Sequence, residues 1–132
     1  PSNNSLNVEG KISAVNTQIK NKLVCEGSVY KKIRTVKEEN YEVQNDDYTI
    51  ICDASNNKMN VNLPPPVNNQ GRVLIFKKAN SNQYKLNDNE ITLSCKEGKI
   101  DIGNNELIKM NYSSRTLQCD GENWWIIGTK GS

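Results

Sequence analysis

Histidine is absent from the 132-residue sequence, and its absence excludes several kinds of catalytic centre. A Ser-His-Asp or Cys-His nucleophile needs an imidazole as its base, and zinc sites use histidine or closely spaced cysteines. The four cysteines, at positions 25, 52, 95 and 119, never lie within CxxC distance of one another. We therefore expect no metal site and no cofactor. The cysteines are either small buried hydrophobes or members of one or two disulfides formed in an oxidising compartment.

The chain also lacks a large net charge, because 17 basic and 15 acidic residues leave only +2. Such a balance creates no strong field that would recruit nucleic acid or a membrane surface. No apolar run approaches the ~20 residues of a membrane-spanning helix. We predict neither a nucleic-acid partner nor membrane insertion. Because the sequence begins at Pro1, we expect it to be a fragment of a longer protein.

Apolar residues are scarce as well, at 35% of the chain, and the mean hydropathy is −0.74. Strand patterns nevertheless run through the sequence, and the abundant asparagine favours turns over helix interiors. A polar chain with strong strand patterns can gain the missing burial by associating with copies of itself. We therefore expect a self-associating protein.

The first thirty residues contain a short repeat. Residues 4–12 align with residues 21–29, and Asn, Leu, Glu and Gly recur seventeen places apart. Each copy has apolar residues at alternate positions, which is the strand period, and its glycine falls on the same face. A unit this short cannot bury its own apolar face, whereas three chains around a common axis could bury it for one another.

The repeat thus predicts a repetitive β shaft and trimerisation segment over residues 1–40, and a coincidental pair of β-hairpins is the alternative. The side chains predicted to pack around the trimer axis are Leu6, Val8, Ile12, Leu23, Cys25 and Val29.

From Tyr41 onward the pattern predicts a compact β domain. Strand patterns recur about every ten residues with a turn signal between them. The run Val73–Phe76 is apolar on both faces, which is typical of a central strand. Asp120-Gly121 supplies the dihedrals of a tight hairpin turn. We predict that residues 41–132 form an antiparallel β-sandwich or barrel head, so the fold class is all-β.

Two neighbouring tryptophans lie in the last strand pattern. Consecutive strand residues face opposite sides, so one ring should point inward and the other outward. We predict that Trp125 packs into the head core together with Phe76 and Ile127. Trp124 is then the outward ring and a candidate glycan contact.

Paired carboxylates are the remaining candidates for catalysis, as in glycoside hydrolysis. Asp46-Asp47 is the obvious pair, but neighbours in a strand diverge, and a turn is the simpler interpretation. Asp53, Asp88 and Asp101 lie near Asn-rich loops that could offer oxygen ligands to calcium, yet no EF-hand-like spacing is present. We predict that the protein is not an enzyme.

Six short motifs between residues 41 and 128 carry a resemblance. They are Tyr41-x-Val43, Asp47-x-x-Ile50-Ile51, Val61-x-Leu63-Pro64, Gly71-Arg72 with Ile75 and Lys77, Ile100-Asp101, and Asp120-Gly121-x-x-Trp124-Trp125-Ile126-Ile127. Together they resemble a β module at the ends of phage tail fibres and of fibre-like proteins in large DNA viruses. In that family Gly directly follows Ile-Asp, whereas Ile102 intervenes before Gly103 here, so the register of this turn stays open.

The resemblance implies a homotrimer on a virion surface or fibre, extracellular when mature, with a role in attachment or in fibre assembly. It implies a host surface glycan or protein receptor as a further partner and offers no catalytic residues. We therefore predict a structural, non-enzymatic trimeric module. One alternative is a lectin-like receptor-binding head that uses the loops 64–69 and 80–89 with Trp124. The other is a glycan-degrading enzyme with carboxylates from different chains.

Overall fold

The computed structural model describes residues 5–82 and 89–132. Within these residues nine strands and no helix form, which confirms the all-β fold class. The strands are β1 (Ile33–Val36), β2 (Asn40–Glu42), β3 (Thr49–Cys52), β4 (Met59–Asn62), β5 (Val73–Lys78), β6 (Ile91–Ser94), β7 (Asn105–Ile108), β8 (Ser114–Cys119) and β9 (Trp124–Lys130).

The strands divide between two sheets. Sheet A has the order β1-β3-β5-β8-β9, and sheet B has the order β2-β4-β6-β7. The chain alternates between the sheets for its first six strands, so that each new strand lies parallel to the previous strand of its own sheet. Pairing is antiparallel only where β7, β8 and β9 join.

The expected antiparallel sandwich is therefore wrong for the first six strands. The turns after β1, β3 and β5 carry the chain to the opposite sheet instead of back along the same one. β1 also lies upstream of residue 41, and it pairs with β3 from Ile33↔Thr49 to Val36↔Cys52. The folded unit thus includes residues 33–40.

Alternation along the strands places one side of each sheet in a common core. Parallel neighbours bring apolar residues into register, as in Ile50↔Phe76 and Val61↔Leu93. Phe76, expected in the head core, is fully buried. The buried apolar residues of both sheets and of the segments between strands form one cluster: Val36, Tyr41, Ile50, Cys52, Ala54, Met59, Val61, Leu63, Leu74, Phe76, Ile91, Leu93, Cys95, Ile100, Ile108, Leu117, Cys119 and Trp124.

The loops at one end of the sheets pack closely. A Cβ on Gly98 would lie 2.7 Å from the Glu122 carbonyl oxygen and 2.8 Å from Cγ of Pro66, so only glycine fits there. The Ile100–Gly103 turn is closed by two backbone hydrogen bonds, with Asp101 at a φ of 54°. Ile102 is 92% exposed, so the residue that departs from the family pattern projects from the tip of this turn.

Candidate association surfaces

The N-terminal segment, residues 5–32, contains no strand in the single chain. Every residue from 5 to 33 is exposed, so no side chain of the segment is buried against the folded unit. Leu6 is 84% exposed and Val15 is 98% exposed. The apolar side chains of the segment are therefore left in water by the single chain.

The six residues predicted to line a trimer axis all belong to this exposed set. Leu6, Val8, Ile12, Leu23, Cys25 and Val29 are all exposed. A single chain has no second copy against which they could pack, and the predicted axis stays a prediction.

A second apolar surface lies on the outer side of sheet A, and we call it the A face. It consists of the residues of sheet A that point away from the core. They are Ile33, Thr35, Thr49, Ile51, Val73, Ile75, Lys77, Ser114, Thr116, Gln118, Trp125, Ile127, Gly128 and Lys130.

The A face has a regular row of β-branched residues and a charged end. Ile33, Thr49, Ile75 and Thr116 stand in register across four strands, so β-branched side chains form a continuous row. The two lysines of the face, Lys77 and Lys130, flank Ser114 at one end of the strands. The ammonium group of Lys77 donates to the backbone carbonyl of Tyr112 at 2.9 Å.

Trp125 and Ile127 are the exposed apolar side chains that β9 contributes to the A face. Trp125 is 44% exposed and Ile127 is 57% exposed. With Gln118, Cys119 and Asp120 they line an open groove of about 310 Å³. The apolar face of the indole ring is thus available to a partner.

Asp120 holds the edge of this ring in place. Nε1 of Trp125 donates to Oδ2 of Asp120 at 2.8 Å, and the backbone N–H groups of Glu122 and Asn123 donate to Oδ1. The Trp125 hydrogen bond, with help from these backbone donors, lowers the pKa of the Asp120 carboxyl. The ring orientation is therefore set by the hairpin turn itself.

The structure reverses the predicted orientation of the two tryptophans. Trp124 is fully buried and its Nε1 donates to the Pro64 carbonyl at 3.1 Å, so it cannot be a glycan contact. Trp125 and Ile127 lie on the outer face rather than in the core of the single chain. The reason is the hairpin register, since Trp124 pairs with the inward-facing Cys119 and directly opposed residues share a face.

The alternation of side chains along the two strands could have revealed this orientation from the sequence. Leu117 and Cys119 lie two positions apart, so they share one side of their strand. A two-residue turn would pair Leu117 with Trp124, and the observed four-residue turn pairs Cys119 with it. Both turn lengths place Trp124 inward, so the signal was available in the spacing.

The outer side of sheet B has the opposite character. Its outward residues are mostly polar, and they hydrogen-bond across the strands, as Asn62 does with Glu42 at 2.8 Å and Ser94 with Asn105 at 3.0 Å. We call this surface the B face; its members are Asn40, Glu42, Asn60, Asn62, Thr92, Ser94, Asn105 and Leu107. Exposed apolar area on the sheets is therefore concentrated on the A face.

The Asp46-Asp47 pair does not form a catalytic arrangement. The side chain of Asp47 is fully buried and accepts from Nε of Arg34 at 2.8 Å and from the Tyr41 hydroxyl at 2.6 Å. Burial, together with the hydrogen bond to Asp47, raises the pKa of Tyr41. Asp46 instead pairs with Lys32 and Arg34 in solvent. The two carboxylates thus fasten β1 to the turn before β3.

Metal-binding clusters are absent from residues 5–82 and 89–132, where no group of three His, Cys, Asp or Glu side chains converges. Asp88, a calcium candidate in the sequence, and most of the 80–89 loop lie outside the described residues. The same described ranges contain no helix able to cross a membrane.

All four cysteines are free, and three of them are buried in the head. Burial raises the pKa of the Cys52 thiol to about 12, which makes it an unreactive core residue. Burial also raises the pKa of the Cys95 and Cys119 thiols. Cys25 differs because it lies exposed on the N-terminal segment.

No protein-family model matches this sequence, and no curated protein matches it either. The resemblance of residues 41–128 to fibre ends therefore stays a prediction from the motifs.

Proposed function

We propose that the chain is a non-enzymatic structural module that trimerises through its N-terminal segment as part of a fibre or virion surface. Its role would be attachment or assembly of the fibre. The observation that carries the proposal is the exposure of the repeat. The apolar side chains at equivalent places of both copies lie in water in the single chain.

The energetic reason for association is the size of this exposed apolar set. Burying a large aliphatic side chain contributes about 1.5–3 kcal/mol. Several such side chains along residues 5–32 make a surface that soluble monomers rarely leave uncovered. Because the head does not cover them, copies of the same segment are the partners that the repeat itself suggests.

The two glycines of the repeat support close packing between chains. Gly10 and Gly27 occupy equivalent positions, and neither has a positive φ. A Cβ added to either would meet nothing within 4 Å among the described residues. No contact within that part of the chain therefore requires glycine there, whereas the backbone of a neighbouring copy approaching closely would.

Light scattering after size-exclusion chromatography tests the proposal. We expect the purified chain to have about three times the 14.9 kDa mass of one chain. Leu23→Lys should reduce this mass towards that of one chain, because a charge would be buried at the axis. Val15→Lys is the matched control, since Val15 lies in the same exposed segment but outside the repeat and should leave the trimer intact.

A wild-type mass of 14.9 kDa at every concentration would contradict the proposal. Equal loss of the trimer in the Leu23→Lys and Val15→Lys variants would contradict the specific role of the repeat.

A lectin-like head is the second candidate, and one observation favours it. Trp125 presents an exposed ring whose edge is held by Asp120, as a sugar-stacking residue would. Such a head would use Trp125 in place of the buried Trp124. The enzyme alternative gains no support, because the Asp46-Asp47 pair serves as a structural contact.

A further inference from the structure

We propose that the A face is the surface through which the heads of neighbouring copies of this chain pack, so that Trp125 and Ile127 become buried between copies. This inference rests on the proposed trimer and names the head surface that completes it. It assigns the outer side of sheet A a partner that the exposed repeat alone does not identify.

The chemistry of the A face suits an apolar protein partner. Apart from Lys77 and Lys130 at one end, the face carries only apolar, hydroxyl and amide side chains and no carboxylate. The B face, on the same head, is instead covered by asparagine and other polar residues. A sheet that alternates apolar residues on its outer side as well as its inner side is typical of one that is covered on both faces.

The surroundings of Trp125 favour a protein partner over a sugar. Its indole N–H already donates to Asp120, and both carboxylate oxygens of Asp120 already accept hydrogen bonds. The neighbouring Ile127 adds apolar surface and no donor or acceptor. A sugar would find the ring, the Gln118 amide and an Asp120 carboxylate that already accepts on both oxygens, whereas an apolar strand face from another copy needs no polar group.

The A face is continuous with the N-terminal segment. Ile33, at the start of β1, points outward on the A face and is 66% exposed. Tyr30 and Val29, just before it, are 93% and 61% exposed. A neighbour that covers the end of the segment would therefore also reach the first strand of the A face, and the natural occupant is another copy.

The size of the face explains why the two surfaces belong together. Five strands about 4.8 Å apart, with 4 to 7 residues each, give a face on the order of 400 Å². Stable interfaces bury roughly 800 Å² per partner. The A face alone is thus too small to hold an independent protein, but it can complete an interface that the N-terminal segment begins.

Tryptophan fluorescence can test this because the two rings differ in the single chain. Trp124 is already buried, so a change of exposure on dilution should come from Trp125. In the trimer of the 132-residue chain we expect Trp125 to resist acrylamide quenching, and dilution to the single chain should expose it and shift its emission to the red. Trp125→Phe should abolish this dilution-dependent change while leaving the Trp124 signal.

A pair of lysine substitutions provides the second test. Ile127→Lys places a charge on the A face in the edge strand β9, and we expect the concentration of half-dissociation to rise about tenfold or more. Leu107→Lys is the matched control, because Leu107 lies on the B face in the edge strand β7. It should dissociate like the wild type. Far-ultraviolet circular dichroism checks that both lysine variants fold. If one of them does not fold, the acrylamide quenching of the wild type and of Trp125→Phe tests the inference by itself.

The outcomes separate this inference from the proposed trimer. A trimer whose Trp125 stays fully quenchable, and whose assembly Ile127→Lys does not weaken, overturns the A face and leaves the proposed function standing. A single chain at all concentrations overturns both. Protection of Trp125 by sialyllactose or chitotriose, but not by protein concentration, overturns the A face in favour of a lectin-like head.

Discussion

The ionisable side chains Lys78 and Asp53 are buried in the head, and specific hydrogen bonds satisfy each of them. Nζ of Lys78, on the inward side of β5, donates to the carbonyls of Asn89 and Lys109 at 2.5 and 2.7 Å. Asp53 accepts from the backbone N–H and the hydroxyl of Ser55 at 3.0 and 2.5 Å. Because an unsatisfied buried polar group costs about 1–3 kcal/mol, these contacts are conditions for the core to form.

Asp53 should make the free energy of unfolding depend on pH in the acid range. Burial disfavours its charge, but hydrogen bonds from Ser55 and Ser81 outweigh burial and lower the pKa from 3.8 to about 2. A carboxyl whose folded pKa is depressed stabilises the fold above its unfolded pKa, and this contribution is lost as pH falls through the folded pKa. Between about pH 6 and pH 2, urea unfolding should show the wild type losing up to about 2 kcal/mol more than Asp53→Asn.

Ser55→Ala is the partner variant for this measurement. It removes the hydroxyl donor but keeps the carboxylate, so its acid-dependent loss should fall between those of the wild type and Asp53→Asn. Identical pH profiles for wild type and Asp53→Asn would show that Asp53 does not contribute.

Among the elements, Arg115 links the two sheets at one end of the sandwich. It lies on β8 of sheet A, is 5% exposed, and donates from Nε to Glu106 on β7 of sheet B at 2.6 Å. Its guanidinium also donates to the carbonyls of Leu107, Lys130 and Gly131. One side chain therefore holds the last strand and the last part of sheet B together.

Removing this guanidinium should weaken the head. We expect Arg115→Met to lower the free energy of unfolding by about 2–3 kcal/mol, because Glu106 and several carbonyls lose their donor. Arg115→Lys keeps the charge but lacks the planar fork, so it should restore only part of the loss. Urea denaturation measures both, and equal stability of Arg115→Met and wild type would refute the linking role.

Some of these elements could be predicted from the sequence, and others could not. The Asp120-Gly121 hairpin was expected, and Gly121 has a φ of 97° in the turn between β8 and β9. The strand patterns that recur about every ten residues after Tyr41 were also expected, since alternation depends only on neighbouring residues. Their parallel pairing was not, because the partner of each strand is chosen by a turn that crosses to the other sheet.

For the whole molecule, association should couple to stability. If three chains share the N-terminal segment and the A face, unfolding and dissociation occur together and Tm depends on protein concentration. We expect Tm to rise by about 3 °C for each tenfold increase in concentration. Differential scanning calorimetry of wild type and Leu23→Lys measures this.

The Leu23→Lys variant should show a Tm that does not change with concentration, since its segment no longer assembles. A concentration-independent Tm in the wild type would instead mean that the head unfolds alone.

The sequence by itself determined the strand-rich fold class, the tight hairpin and the repeat with its alternating apolar residues, because these follow from local periodicity and backbone preference. Only the tertiary structure decided that strands interleave between two sheets, that Trp124 rather than Trp125 enters the core, and that Asp47 is a buried hydrogen-bond acceptor. Those features depend on which distant segments pair, and the register of Cys119 with Trp124 assigns a face to every residue of the last strand.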